Sequence, residues 1–196
     1  MKRVAVRAFI IFFGLGPAAA LAHPGHDGVG ELVQGFVHPV TGIDHVLAMI
    51  AVGVLAALYG GRALWLVPMS FLVAMAAAGA IGMAGIPLQI VEAGIGLSIV
   101  VLGLMIAFQI KPPALVAMVV VGFFALFHGY AHGSEMPDGA AGLSFAAGFL
   151  IATALLLSAG AGLGLLLQRR TLSRCLIQAG GGAMALVGIA VLAGIV

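Results

Sequence analysis

Six apolar segments of about 20 residues each follow one another along this chain, and they limit its fold more than any other feature. A hydrocarbon core of about 30 Å needs about 20 apolar residues in a helix, and backbone amides in lipid must be paired within the helix. Because 63% of the residues are hydrophobic and only 7% are charged, a soluble globular protein is excluded. We therefore predict an all-α membrane protein in which residues 36–196 form a bundle of six transmembrane helices. The predicted spans are residues 36–58, 63–84, 87–109, 113–133, 141–166 and 174–195.

The first 22 residues have the pattern of a secretory signal peptide. Basic residues lie within the first seven positions, an apolar run follows at 8–21, and Ala20-Leu21-Ala22 matches a cleavage site. We predict a signal peptide over residues 1–22, with an uncleaved anchor helix as the alternative. In both cases the basic end stays in the cytoplasm and the chain continues outside.

Residues 23–35 are predicted to form a periplasmic segment that contains two histidines. Cleavage after Ala22 would make His23 the first residue of the mature chain. Its α-amino group and the imidazoles of His23 and His26 could then capture a metal ion weakly. A polar tail that binds no ion is the alternative interpretation.

The basic residues of the mature chain all lie in connections on one predicted side of the membrane. With the start of the first span outside, the positive-inside rule is obeyed by every one of them. These residues are Arg62, Lys111, Arg169, Arg170 and Arg174. Four acidic residues fall on the outer side, namely Asp27, Glu31, Glu135 and Asp138. We therefore predict a multi-pass protein with a periplasmic mature N-terminus and cytoplasmic basic loops.

A polar motif, His38-Pro-Val-Thr-Gly-Ile-Asp44-His45, interrupts the first predicted span. Ionisable groups in hydrocarbon are costly and mark ion pairs, cavities or ion sites, and imidazole with carboxylate suits divalent first-row metals. An unbroken helix would keep His38 and His45 too far apart to share one ion. Because Pro39 and Gly42 lie between them, either the backbone bends to bring the ligands together or the motif forms an outer and an inner station. Asp44 must be neutral, paired or metal-bound, since burial of a bare carboxylate is prohibitive.

A second motif, Phe127-His128-Gly-Tyr-Ala-His132-Gly-Ser-Glu135, ends the fourth predicted span. Positions i, i+4 and i+7 share one helix face, so His128, His132 and Glu135 are expected to project together. A histidine pair at i and i+4 can offer two metal ligands. The alternatives are histidines hydrogen-bonded to neighbouring helices and a Glu135 that is only a surface charge.

Glu92 is the remaining ionisable residue near this level, because it lies shortly after the outer start of the third predicted span. It could act as a ligand, as an acceptor for the far nitrogen of a ligating imidazole, or as a proton carrier. The topology thus assigns every intramembrane ionisable group to the outer half of the bilayer.

These motifs resemble the HupE/UreJ family, small bacterial membrane proteins associated with hydrogenase and urease. The resemblance covers essentially the whole chain and has no departure at the polar positions. Its first-span pattern is His38-Pro39, Gly42, Asp44-His45, Ala48-Met49 and Ala51-Val52-Gly53, and its fourth-span pattern is Phe127-His128-Gly129, Ala131-His132-Gly133 and Glu135. It implies a permease of the bacterial inner membrane that carries Ni²⁺, with Co²⁺ or another divalent ion possible. The site residues that it implies are His38, Asp44, His45, His128, His132 and Glu135.

Two other classes of function are compatible with intramembrane ligands. One is an accessory or sensor protein that binds metal without transporting it, and the other is a metal-dependent membrane enzyme. The sequence lacks a His-Glu-x-x-His motif and a separate nucleophile, so we expect no enzyme and no catalytic cofactor. It also lacks a Walker phosphate loop and a basic cluster with aromatic platforms, so neither ATP nor nucleic acid is an expected partner. The expected partners are a divalent metal ion and the lipid bilayer, and no feature specifies an oligomeric state.

Overall fold

The structure, a computed structural model, describes residues 28–85, 88–168 and 173–195. The predicted signal peptide and the histidines His23 and His26 lie outside the described residues. The described residues form helices joined by short connections and contain no strand, in agreement with the predicted all-α class. Its helices are α1 (Gly28–Thr41), α2 (Ile43–Tyr59), α3 (Ala63–Gly82), α4 (Val91–Ala107), α5 (Ala114–Ser134), α6 (Gly139–Leu167) and α7 (Ser173–Leu192).

Four of these helices are long and apolar enough to cross a membrane, namely α3, α5, α6 and α7. The pair α1 and α2 passes the same test only as one bent span. Helix α4 is apolar but has 17 residues, or about 26 Å at 1.5 Å per residue, slightly less than the hydrocarbon thickness. The structure therefore supports a multi-pass membrane protein with four or five candidate spans, and the count of six stays a prediction.

The first predicted span differs most from the structure. Instead of one helix over residues 36–58, α1 and α2 meet at 80°. Helix α1 begins at Gly28, so part of the segment predicted as periplasmic is helical. Gly42 joins the helices with an extended backbone, at φ −90° and ψ 115°. The side-chain hydroxyl of Thr41 donates to the carbonyl of His38 at 2.7 Å, within the last turn of α1.

Helix α2 lies at the centre of the bundle. Every residue from Ala51 to Leu58 is buried, and the helix contacts each of the other six described helices. Around it, the most extensive contacts pair α3 with α5, α4 with α7 and α1 with α6. The polar residues at the two ends of α2 are partly buried, because the helix lies between several neighbours.

The end of α2 opposite the bend is closed by side chains from two connections. The Lys111 ammonium donates to the carbonyl of Leu58 at 2.6 Å, and the Tyr59 hydroxyl donates to the carbonyl of Pro112 at 2.5 Å. The Gln168 amide donates to the carbonyl of Ala57 at 2.9 Å. Since last-turn carbonyls have no partner within their own helix, the bonds from Lys111 and Gln168 satisfy two of them. The Tyr59 bond instead ties the end of α2 to the connection before α5. The polar motif at the bend and the basic connection at residue 111 thus lie at opposite ends of the same helix, which is about 26 Å long for 17 residues.

Candidate metal centre

The bend between α1 and α2 creates one half of the site. Asp44 lies in the first turn of α2, where unpaired backbone amides and the helix dipole favour a negative charge. Its Oδ1 lies 2.8 Å from Nδ1 of His45. A carboxylate only accepts, so the His45 imidazole donates through Nδ1–H and keeps its lone pair on Nε2. That Nε2 is buried and has no hydrogen-bond partner among the described residues.

Gly42 leaves room at the bend for the pair of side chains that follows it. A Cβ added there would lie 2.8 Å from Asp44 Oδ1 and 2.9 Å from His45 Nδ1, closer than side-chain carbons are normally found. The glycine therefore lets the carboxylate and the imidazole fold back over the junction.

Helix α5 supplies the other half of the site and is held very close to α3. A Cβ on Gly129 would lie 2.8 Å from the carbonyl carbon of Met75, and one on Gly133 would lie 2.7 Å from that of Gly79. These two glycines alternate with His128 and His132 in the second motif. They explain the motif's spacing physically, because small residues allow membrane helices to approach backbone to backbone.

The four motif histidines form a continuous row. The ring centroid of His132 lies 4.9 Å from that of His38 and 4.3 Å from that of His45. The His45 ring in turn lies 5.0 Å from that of His128. The backbone thus bends so that residues from both ends of the first motif contact one imidazole, that of His132.

His38, His132 and Glu135 form a group of three side chains whose ligand atoms all lie within 4.8 Å of one another. The Nε2 of His38 is 3.2 Å from Glu135 Oε2, and the Nδ1 of His132 is 3.9 Å from the same oxygen. The structure therefore joins His132 and Glu135, as predicted, and adds His38 from the first motif. His128 lies elsewhere, against α4. Two imidazoles and a carboxylate form a donor set that Ni²⁺, Co²⁺ and Zn²⁺ all accept.

The site residues differ widely in exposure, and the row runs from the partly exposed His38 to the completely buried His128. The exposed fraction of the side chain is 60% for Glu135, 35% for His38, 23% for Asp44, 12% for His45 and 4% for His132. His128 is completely buried. The first five residues line a cavity of about 250 Å³, together with Glu92. An ion in this cavity would meet a carboxylate at the surface and imidazoles further inside.

Four imidazole nitrogens in the row are buried without a hydrogen-bond partner in the described part of the chain. They are Nε2 of His45, Nδ1 of His128, and both ring nitrogens of His132. An unpaired polar group in an apolar interior costs about 1–3 kcal/mol. Histidines that served only to join helices would use these nitrogens for hydrogen bonds. A neutral imidazole has one N–H and one lone pair, so each of these three histidines can offer one lone pair. These lone pairs fit a cation better than they fit a purely structural role.

Glu92 lies at the wall between two cavities. It lines the 250 Å³ cavity and also an adjoining cavity of about 460 Å³. Gln89, Tyr130 and Glu135 are among the other residues that line the larger cavity. In the described residues Glu92 makes no hydrogen bond to an imidazole, so the acceptor role considered from the sequence has no geometric support. Its position suits a ligand or a proton carrier at the outer side of the site.

Two aromatic residues of α6 enclose the row, and sequence reasoning missed both. The ring centroid of Phe149 is 4.2 Å from that of His132, and the centroid of Phe145 is 5.5 Å from that of His38. Residues 139–167 contain no ionisable residue, so no local signal pointed to the site. Met49, which belongs to the family pattern of the first span, is fully buried in the apolar core.

Comparison with known proteins agrees with the motifs. The sequence matches the family model described as HupE / UreJ protein over residues 11–191. It is 44% identical to Protein HupE of Rhizobium leguminosarum bv. viciae over 178 residues, which cover 91% of this chain and 92% of that protein. No solved structure matches the chain.

Proposed function

This chain belongs to the HupE/UreJ family, and from that premise we propose that it is an inner-membrane permease that moves Ni²⁺ from the periplasm to the cytoplasm. The delivered ion would serve the maturation of hydrogenase or urease. The observation that carries the proposal is a row of ligands that begins at the partly exposed Glu135 and His38 and ends at the completely buried His128. A selective pathway must replace the hydration shell of its ion and still pass the ion on.

The proposed path has two stations that share one residue. Glu135 and His38, with His132, would hold the arriving ion near the surface. The free nitrogens of His45 and His128 would receive it further inside, where His132 is again within contact distance. Because His132 belongs to both groups, the ion would exchange ligands in steps and would not lose all of them at once.

Uptake of radiolabelled nickel by cells tests the proposal. We expect Asp44→Ala, His128→Ala and His132→Ala to abolish nickel accumulation above the level of cells that lack the protein. The matched control is Asp138→Ala, which removes an exposed carboxylate outside the site. Asp138 precedes α6, and its side chain makes no capping hydrogen bond to that helix. Unchanged uptake in Asp44→Ala, with normal amounts of protein in the membrane, would contradict the proposal.

A binding protein without flux is the second candidate, and one observation favours it. The ligands lie at one end of α2, whereas Lys111, Tyr59 and Gln168 close the other end. Purified protein in sealed liposomes separates the two functions. A permease accumulates Ni²⁺ inside the vesicles with time, whereas an accessory or sensor protein binds a fixed amount for each chain.

The choice of ion requires a separate experiment, because imidazole and carboxylate accept several first-row metals. We propose Ni²⁺ as the preferred cargo on the basis of family membership. Competition of unlabelled Co²⁺ and Zn²⁺ against radiolabelled nickel measures this preference directly.

A further inference from the structure

A serine on α4 contacts the innermost histidine of the row. Ser98 is fully buried, and its Oγ lies 3.0 Å from Nε2 of His128. The same Oγ lies 2.6 Å from the carbonyl oxygen of Ile95, one turn earlier in α4. The hydroxyl is therefore held between an acceptor that cannot donate and an imidazole nitrogen that can do either, depending on its tautomer.

The Ser98 hydroxyl has one proton, and the acceptor that receives this proton determines the tautomer of His128. If Ser98 directed this proton to His128, two oxygens without a proton between them would face each other at 2.6 Å. The favourable arrangement has Ser98 donating to the carbonyl of Ile95 and accepting from the Nε2–H of His128. Among the described residues, the carbonyl of Ile95 and Nε2 of His128 are the hydrogen-bond partners of Ser98 Oγ, and both Ser98 and His128 are completely buried.

We infer that Ser98 is a positioning residue, which holds His128 as the Nε2–H tautomer and leaves its Nδ1 lone pair free for the metal ion. That Nδ1 is the nitrogen of His128 that is buried without a partner in the described part of the chain. An imidazole binds a metal through a lone pair, and the bond at its other nitrogen selects which one is available. The role of the free nitrogen in metal binding rests on the proposed function. The assignment of the His128 tautomer does not depend on that function.

The two inner histidines of the row, His45 and His128, are then held as opposite tautomers. Asp44 accepts from Nδ1 of His45 and frees Nε2, whereas Ser98 accepts from Nε2 of His128 and frees Nδ1. The His45 and His128 rings are neighbours at 5.0 Å, and each thus has one free lone pair. Helix α4 contributes to the site through this serine as well as through Glu92.

The tautomer can be measured in metal-free protein by nitrogen NMR of ¹⁵N-histidine-labelled samples. The chain has six histidines, and the spectrum of His128→Gln identifies the resonances of His128 by their absence. We expect Nε2 to be protonated in the wild type and in Ser98→Thr, which keeps the hydroxyl. Ser98→Ala should show a mixture of the two tautomers. A wild type protonated at Nδ1, or a Ser98→Ala spectrum unchanged from wild type, would overturn the inference.

Equilibrium binding of Ni²⁺ to the same purified proteins tests the consequence. Loss of a group that orients a metal ligand lowers affinity by about 10- to 100-fold, and we expect this range for Ser98→Ala and recovery in Ser98→Thr. The matched control is Ser70→Ala, because Ser70 makes the same bond to the carbonyl of Val67 at 2.7 Å but contacts no histidine. Equal affinities for Ser98→Ala and Ser70→Ala would overturn the positioning role. A wild type that binds no Ni²⁺ would overturn the proposed function, and the tautomer measurement would still test Ser98.

Discussion

The substitution Gly129→Ala tests whether close approach of α3 and α5 positions the histidines. A Cβ at this position would lie 2.8 Å from the carbonyl carbon of Met75, whereas carbon atoms in contact prefer about 3.5–4.0 Å. Because the carbonyl oxygen of Met75 would be closer still, helix α5 must move away from α3 by at least about 0.7 Å. Binding sites tolerate displacements of only about 0.5 Å. His128 and His132 flank residue 129, so the displacement acts directly on the row of ligands.

Two energetic effects oppose each other in this variant. Alanine is a better helix former than glycine by about 1 kcal/mol in water, and that effect alone would stabilise α5. Forcing an extra methyl group into a packed interface costs about 1–3 kcal/mol. Because the atoms it meets are backbone atoms of Met75, which cannot rotate away, we expect the steric effect to dominate. The protein should still insert into the membrane, since insertion depends on hydropathy.

Equilibrium binding of Ni²⁺ to purified protein and uptake of radiolabelled nickel measure the result. We expect Gly129→Ala to bind Ni²⁺ at least about tenfold more weakly, which corresponds to 1.4 kcal/mol. Gly122→Ala is the control on the same helix against the same partner, because its nearest atoms, Ala74 Cβ and Ser70 O, would both be 3.8 Å away. If Gly129→Ala bound Ni²⁺ as tightly as Gly122→Ala does, close helix packing would not be what positions the ligands.

Three further predictions concern the bend and the topology. Gly42→Ala should weaken Ni²⁺ binding, because its Cβ would displace the Asp44–His45 pair. The control Gly30→Ala has no atom within 4 Å of its Cβ and should bind Ni²⁺ as the wild type does. Equal affinities of the two variants would contradict this prediction. Asp44→Asn keeps an oxygen that can accept from His45 but loses the negative charge. With normal protein amounts, calorimetry should show an affinity for Ni²⁺ that is lower by about 10- to 100-fold. Wild-type affinity would argue against a role for the charge. The single cysteine, Cys175, is exposed near the start of α7, and an impermeant maleimide should label it in inverted vesicles and not in right-side-out ones; the reverse pattern would overturn the predicted orientation.

The six apolar segments predicted the positions of the helices well, because hydropathy is a local property of the chain. The ends of α3, α5 and α7 differ from the predicted spans by only a few residues. The first span was predicted less well, since Pro39 and Gly42 are compatible with a bend and also with a continuous distorted helix. Pro39 in fact lies inside α1, whereas the break occurs at Gly42.

The polar motifs identified nearly all of the candidate ligands but not their grouping. Spacing along α5 placed His128 on the same face as His132 and Glu135, yet His128 contacts α4 and His45, and His38 joins the other two. The contact between Ser98 and His128 joins residues 30 positions apart. No pattern within a single helix indicates such a partner, and Phe149 on α6 was invisible to sequence reasoning for the same reason.

The sequence by itself determined that this chain is a membrane protein with a small set of ionisable residues near one end of its helices. Those conclusions depend on hydropathy and on the cost of charge in lipid, which act residue by residue. Only the tertiary structure decided which ligands meet, in what order they become buried, and which imidazole nitrogens remain free. In lipid the apolar faces of a helix are nearly equivalent, so backbone approach at small residues such as Gly129 and Gly133 selects the neighbours. That selection depends on helices distant in sequence, and it positions the histidines of this site.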